Sequence, residues 1–513
     1  MLPAAMRKLW PCLAALSAGA ALTAAFAPHD LWWLALAAPA VLLGLWSRAR
    51  SPREGAWLGF LFGLGLYATG TWWLYISIRV LGQAPVWVAL VVMAALVLIM
   101  AAYQAALGYV AVRWLAPRSA AGLLLLMPAA WVFVEWWRGW FVSGFPWLSL
   151  RYSQTDTWLA GLAPLGGVHL LSLLLIAGGG ALVMLVRDLR SSWPLALVVL
   201  VLPWTAGVAL HSETWTRPVG EPLTVALLQG AIPQEMKWLE SKSNQQRILD
   251  EYASLHRSAV GAKLVVWPES ALPDVANRYA DYIGAQWSAA RAGGSAVLMG
   301  IMRVERQEGA ESRYFNSLLA MDTGAPAFYD KRHLVPFGEY FPVPQWVRNW
   351  LRLMSLPFSD FTPGPANQPP MMLAGQPVSV SICYEDAYPG QLRAATRAAT
   401  LLVTVTNDAW FGRSGARYQH LQIARMRALE SRHYLLRAAN DGVSAIIDPM
   451  GRVTRQAPEF EAAVLRGVVQ PRSGATPYLR VGDWPVIALA VAALLSVPLR
   501  HLKNRPWTRI KKH

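Results

Sequence analysis

The chain has 513 residues and a formal net charge of +16, yet only 15% of its residues are charged while 55% are hydrophobic, and 26 are tryptophan. A soluble globular chain carries about 25% charged residues, so much of this surface is expected to lie in lipid. The basic residues fall between apolar segments and form no stripe interleaved with stacking aromatics, which argues against nucleic acid as a partner and for a membrane topology.

Seven apolar segments occupy the first part of the chain, near residues 11–27, 31–46, 56–77, 85–112, 122–137, 168–186 and 193–210. A spanning helix needs ~20 largely apolar residues, and tilt and flanking aromatics accommodate shorter ones. The first segment also has the form of a signal peptide, with Arg7 and Lys8 before the apolar run and Ala24–Ala27 as a cleavage site. Gly55, Gly59 and Gly63 recur every four residues and predict close helix packing. Glu135 and Arg138 close the fifth segment, either as an interfacial pair or as part of a site.

Orientation follows from the loops. One side carries nine basic residues (Arg7, Lys8, Arg48, Arg50, Arg53, Arg113, Arg118, Arg187, Arg190) and the other three (Arg79, Arg138, Arg151). The basic side is cytoplasmic, so the N-terminus is expected inside and residue 212 outside. The resulting organisation is a seven-helix transmembrane domain over 1–211, an extracytoplasmic domain over 220–472, an eighth transmembrane helix over 484–500 and a basic cytoplasmic tail over 501–513.

In the 220–472 region charge rises and short β-rich runs alternate with helical spacing. Strands are expected at Leu223–Leu228, Leu264–Trp267, Ala296–Ile301, Val378–Ile382, Leu401–Thr406 and Val443–Ile447, and helices at 243–259, 279–291 and 415–432. That alternation predicts an α/β domain with its own core. No internal repeat stands out.

Three motifs in this domain carry chemistry. Glu269 follows the apolar strand Leu264–Trp267, Lys331 and Glu339 bracket a turn, and Cys383 ends the strand Val378–Ile382, followed by Tyr384 and Glu385. A carboxylate after a strand is by itself a cap, and a lone cysteine is by itself a small buried hydrophobe. Cys12, the other cysteine, lies in the N-terminal apolar segment, so no disulfide with Cys383 is expected. The nine histidines show no metal-ligand spacing, and no phosphate-cradling glycine loop is present, so no metal and no cofactor are expected.

In this order and spacing, Glu269, Lys331 and Cys383 resemble the Glu–Lys–Cys triad of the nitrilase (carbon–nitrogen hydrolase) superfamily. The resemblance extends to Gln229–Gln234 and to Asn407-Asp-x-Trp410-Phe411, and it implies a four-layer α-β-β-α sandwich. A nitrilase-like domain placed between a seventh and an eighth transmembrane segment, with Gly144–Trp147, Tyr152–Gln154 and Thr476–Tyr478 around it, resembles the bacterial apolipoprotein N-acyltransferase family; Arg151 departs from it, standing where a small residue is expected.

The resemblance implies a membrane phospholipid, phosphatidylethanolamine foremost, as acyl donor, a diacylglyceryl-cysteine lipoprotein as acceptor, a thioester on Cys383, and action as a monomer in the bacterial inner membrane. In these roles Glu269 is the base, Lys331 and the Tyr384 N–H stabilise the oxyanion, and Glu339, with Glu385 behind it, supports Lys331. Trp346 and Trp350 lie in an amphipathic stretch, Pro342–Phe358, that reads as an interfacial lid or else as a core helix. Trp238, Trp410 and Phe411 are the other candidate lipid-binding aromatics. Two other readings stand beside this one: a membrane-tethered amidase in which water accepts the acyl group, and a transporter or scaffold with an inactive α/β domain.

Overall fold

The computed structural model describes residues 4–234, 236, 241–306, 312–340 and 361–503. The chain divides into two compact units, one of residues 1–72, 91–212 and 481–513 and the other of 73–90 and 213–480.

The first unit is helical. It contains α1 (Ala4–Leu22), α2 (Leu34–Arg48), α3 (Pro52–Gly70), α4 (Val86–Trp114, from residue 91 on), α5 (Met127–Arg138), α6 (Ala163–Arg187), α7 (Leu189–His211) and the last helix, α13 (Trp484–Lys503). Each expected apolar segment thus coincides with a helix. Among the described residues, Val86–Trp114, Trp158–Arg187 and Leu189–His211 are long and apolar enough to cross a membrane.

Local sequence explains the starts and contacts of these helices. Ser51 caps α3 by accepting from the Glu54 N–H at 3.2 Å, with Pro52 in the first turn where no N–H is needed. The Gly55, Gly59 and Gly63 row lies against α4: a Cβ at Gly59 would sit 2.2 Å from the Gln104 carbonyl oxygen, and one at Gly55 2.6 Å from that of Gly108. Backbones approach this closely only where side chains are missing.

Glu135 and Arg138 are both buried and both hold the following loop. Glu135 accepts from the Leu150 N–H at 3.0 Å, while Arg138 donates to the carbonyls of Phe145 (2.8 Å) and Trp147 (2.9 Å) and to Ser149 (2.8 Å). Arg151 also has a structural partner. Its guanidinium meets His169 Nε2 at 2.8 Å, and His169 Nδ1 meets Asp483 Oδ1 at 2.7 Å, which ties the loop through α6 to the entry of α13.

The second unit is built on two six-stranded sheets. Strands are numbered β1 (Leu223–Gln229), β2 (Leu264–Val266), β3 (Ala296–Glu305), β4 (Arg313–Met321), β5 (Ala327–Asp330), β6 (Met371–Leu373), β7 (Gln376–Ile382), β8 (Leu401–Thr406), β9 (Leu435–Ala439), β10 (Ala445–Ile447), β11 (Val453–Gln456) and β12 (Ala463–Val469). One sheet runs β12-β1-β2-β3-β4-β5 and the other β6-β7-β8-β9-β10-β11. In each, the second, third and fourth strands are parallel and the remaining neighbours antiparallel.

The chain therefore repeats one topology twice, with β6 joining the sheet of the second half and β12 that of the first. No repeat is visible in the residues because the two halves share a hydrogen-bonding plan rather than side chains.

Alternation along each strand sorts the side chains into layers. On β1, Leu223, Val225 and Leu227 face the core between the sheets, with Val378, Val380, Ile382 and Val403 opposite. Ala226 and Leu228 face outward to α8 (Lys242–Ala259) and α9 (Ala280–Ala292). On the other sheet, Leu402 and Leu435 pack on α11 (Ala416–Ser431), and α10 (Pro389–Ala398) covers the same sheet beside β7. The short helix α12 (Pro477–Val481) ends the unit. These layers form the α-β-β-α sandwich.

Strands β4, β5, β6, β9, β11 and β12 go beyond the sequence expectation. Several carry charged or polar residues at buried positions, such as Asn316 on β4 and Arg437 on β9, which blurs their apolar pattern.

Candidate active site

The parallel strands of both sheets end on one edge, and the functional side chains stand there, outside the carboxyl ends of the strands as expected for α/β sheets. Glu269 lies three residues past β2, Cys383 directly follows β7, and Asn407 directly follows β8. Lys331 follows β5. Three tight turns at this edge hold non-glycine residues in left-handed backbone: Ser270 (φ 48°), Phe337 (φ 61°) and Cys383 (φ 53°). Such conformations cost on the order of 1–3 kcal/mol and persist where surrounding contacts fix them.

Lys331 is buried, at 1% exposure, and flanked by two carboxylates. Its Nζ donates to Glu339 Oε1 at 2.9 Å and lies 3.4 Å from Glu269 Oε1. Burial works to depress the lysine pKa, but Glu339, Glu269 and Cys383 outweigh it and hold the ammonium above its ordinary range. The neighbouring Asp330 is engaged by Arg303 at 2.7 Å and Ser317 at 2.6 Å, so it does not compete for the lysine. Glu339 is steadied in turn by the Val335 N–H at 2.8 Å.

Glu269 is aimed by three neighbours. The Asn316 side-chain amide donates to Oε1 at 2.7 Å, the Asn407 N–H donates to Oε2 at 2.8 Å, and Lys331 lies beside Oε1. Gly300 on β3 makes room for the turn, since a Cβ there would lie 2.1 Å from the Pro268 carbonyl oxygen.

Cys383 is partly buried at the mouth of the edge. Burial and the nearby carboxylate of Glu269 push its thiol well above the ordinary range, while Lys331 and a hydrogen bond with Thr406 pull the other way. A thiol so raised is neutral at rest and would need a base to act as a nucleophile, and Glu269 is the carboxylate nearby.

Glu385 plays a different part from Glu339. Its Oε2 accepts from the Ile382 N–H at 2.8 Å and the Tyr329 hydroxyl at 3.0 Å, and its Oε1 accepts from the Arg332 N–H at 2.8 Å. It joins the cysteine turn to the residue after Lys331, acting through backbone rather than on the ammonium. Burial raises its pKa against those N–H groups. His333 stacks on Tyr388 with ring centroids 3.6 Å apart, a structural role.

Trp410 and Phe411 lie in the turn after Asn407 and are partly buried. The Trp410 carbonyl accepts from Ser77 at 2.7 Å, and the Phe411 ring meets Trp73 edge-on at 4.8 Å. The segment between α3 and α4 thus buttresses this turn, a contact no sequence pattern announces. Trp238, Trp346 and Trp350, and the stretch 342–358, lie outside the described residues. Among the described residues no group of histidines, cysteines and carboxylates could hold a metal ion.

Sequence reasoning missed Asn316, and it missed a buried group behind the cysteine: Asp408, His420 and Arg437. His420 Nδ1 meets Asp408 Oδ1 at 2.9 Å, His420 Nε2 meets the Cys383 carbonyl oxygen at 3.2 Å, and Arg437 donates to Asp408 Oδ2 at 2.7 Å. An arginine inside the apolar run Leu435–Ala439 is the signal that could have found this group.

Two sheets of this topology with a cysteine, a lysine and a glutamate converging at one edge define a carbon–nitrogen hydrolase domain, and residues 224–478 match the carbon–nitrogen hydrolase family. Residues 18–181 match the apolipoprotein N-acyltransferase N-terminal domain. The chain belongs to the apolipoprotein N-acyltransferase family. It is 44% identical to the apolipoprotein N-acyltransferase of Azotobacter vinelandii, over 97% of this chain and 96% of that one. It is 42% identical to that of Pseudomonas putida, over 95% and 96%, and 41% identical to that of Chromobacterium violaceum, over 96% and 94%.

Proposed function

We propose that the chain is a membrane acyltransferase that moves an acyl chain from a phospholipid to the N-terminal amine of a diacylglyceryl-cysteine lipoprotein, by way of a thioester on Cys383. The observation that carries this reading is the buried arrangement of Glu269 and Lys331 beside a thiol that is neutral at rest, in a chain whose family acts on lipoproteins.

In the first half-reaction Glu269 takes the thiol proton as sulfur attacks the ester carbonyl of the donor. Lys331 and the Tyr384 N–H stabilise the oxyanion. The carbon–oxygen bond then breaks, and the departing lysophospholipid alcohol takes the proton back from Glu269. In the second half the lipoprotein amine attacks the thioester carbonyl, its proton passes to Glu269, the carbon–sulfur bond breaks, and the thiolate recovers that proton. A poorly hydrated site favours the amine over water.

The donor is phosphatidylethanolamine and the enzyme acts as a monomer. Eight helices cross the bacterial inner membrane, the catalytic domain is periplasmic, and both termini are cytoplasmic. Trp238, Trp346, Trp350, Trp410 and Phe411 contribute to the lipid-binding surface.

Intact-protein mass spectrometry tests the central step. Incubation with phosphatidylethanolamine should add one hydroxylamine-labile acyl mass at Cys383, and a diacylated lipopeptide should remove it while gaining an amide-linked chain. An adduct discharged equally well by water alone would make the protein a hydrolase instead.

A further inference from the structure

The group behind Cys383 is not used in the acyl transfer described above, yet it places four polar or charged side chains inside the core. His420, Asp408, Asp386 and Arg437 are each no more than 1% exposed. Arg437 donates to Asp408 at 2.7 Å and lies 3.5 Å from Asp386, and Asp386 lies 4.0 Å from His420 Nε2 and accepts from Ser381 at 2.8 Å. The Phe411 ring meets His420 edge-on, with centroids 6.1 Å apart.

Hydrogen-bond partners fix the orientation of the imidazole. Nδ1 faces a carboxylate oxygen and Nε2 faces a backbone carbonyl, and both are acceptors. Despite complete burial, Arg437 and His420 hold Asp408 at about 2, so it is ionised. The ring is thereby clamped between Asp408 and the Cys383 carbonyl, with Nε2 aimed at the carbonyl oxygen.

The carbonyl that receives Nε2–H belongs to the peptide between Cys383 and Tyr384. That bond is trans, so its C=O and N–H point in opposite directions. Pulling on the carbonyl from behind fixes the plane of the peptide and polarises it, which strengthens the N–H on the opposite side as a donor.

We propose that His420 is a positioning residue for the oxyanion: the imidazole, held by Asp408, which Arg437 anchors in turn, orients and polarises the Cys383–Tyr384 peptide so that the Tyr384 N–H meets the developing negative charge. This rests on the reading of Cys383 as nucleophile and of the Tyr384 N–H as oxyanion donor.

The test compares two reactions of the same sulfur in the full-length enzyme in phospholipid nanodiscs. Acylation by phosphatidylethanolamine passes through an oxyanion, whereas alkylation by iodoacetamide does not. In His420→Gln, single-turnover acylation should fall roughly tenfold to a hundredfold, with alkylation changed by less than about threefold. Asp408→Asn, which weakens the anchor of the imidazole, should repeat this selective loss. With a donor carrying a ¹³C-labelled ester carbonyl, the thioester C=O stretch of the acyl-enzyme should move to higher frequency in His420→Gln as the hydrogen bond to it weakens.

Equal loss of acylation and alkylation, or an unshifted carbonyl band, overturns the proposal and leaves His420 a packing residue. Absence of any Cys383 adduct in the wild type overturns the parent reading itself, so the two failures are distinct.

Discussion

The side-chain amide of Asn316 donates to Glu269 at 2.7 Å and to Glu339 at 2.9 Å, so one neutral group spaces the two carboxylates that share Lys331. Without it, the two Oε1 atoms that face each other would share only the lysine between them. Asn316→Ala should lower single-turnover acylation of Cys383 about tenfold to a hundredfold, as expected for a misplaced base. Wild-type rates in that variant would remove Asn316 from the catalytic geometry.

The state of the thiol predicts a pH profile. Because burial and Glu269 raise the Cys383 pKa beyond the ordinary range, the thiolate fraction should keep growing with pH. Alkylation by iodoacetamide should rise from about pH 6 to about pH 9 without a plateau. Levelling off near neutrality would mean a thiolate already formed at rest.

Gly300 separates activity from stability. Its Cβ would meet the Pro268 carbonyl oxygen at 2.1 Å and the Glu269 Cα at 2.7 Å, so Gly300→Ala must displace the turn that carries Glu269, the proposed base. Acylation should fall about tenfold or more while the protein remains folded by circular dichroism. An alanine variant with full activity would show that the turn can move without cost.

His433 is fully buried, and burial lowers its pKa to about 4. The unfolded chain takes up this proton at an ordinary histidine value and the native chain does not. The contribution to stability is therefore complete above about pH 6.5 and is lost as pH falls toward 4, by up to about 3 kcal/mol. Thermal melts across that window should fall less steeply for His433→Phe than for wild type. Parallel slopes for the two proteins would assign the acid sensitivity to other groups.

The sequence was most informative where one physical signal dominated. The strand Leu401–Thr406 has the bounds read from its β-branched run, and α8, α9 and α11 begin and end within a residue of their expected limits. Glu269, Lys331 and Cys383 stood out because their residue types and order suit one chemistry, and the structure brings Lys331 within 3.4 Å of Glu269. Asn316 did not, because a strand that also carries Arg313 and Ser317 gives no hint that β4 runs past two glutamates distant in sequence. His420 was hidden for a related reason. Helix α11 is buried along much of its length, with Gln419, His420, Gln422, Arg427 and Glu430 all enclosed, so its sequence reads as a solvated face when the residues are satisfied inside. The role of Arg151 emerged only when a histidine 18 residues on and an aspartate at the start of the last helix came together around it.

The exchange of edge strands between the two halves bears on when activity first becomes available during synthesis. Strand β12 closes the sheet that carries Glu269, pairing with β1 from Ala463 opposite Gln229 to Val469 opposite Leu223. A ribosome that has passed residue 383 has already made the base, the lysine and the thiol, yet the strand that starts the sheet still lacks its neighbour. Until residue 469 emerges, β1 offers an unpaired, strongly apolar edge, a template for wrong partners. A nascent chain therefore carries that open edge from residue 229 until residue 469, and the first sheet is completed only as the chain turns back toward α13.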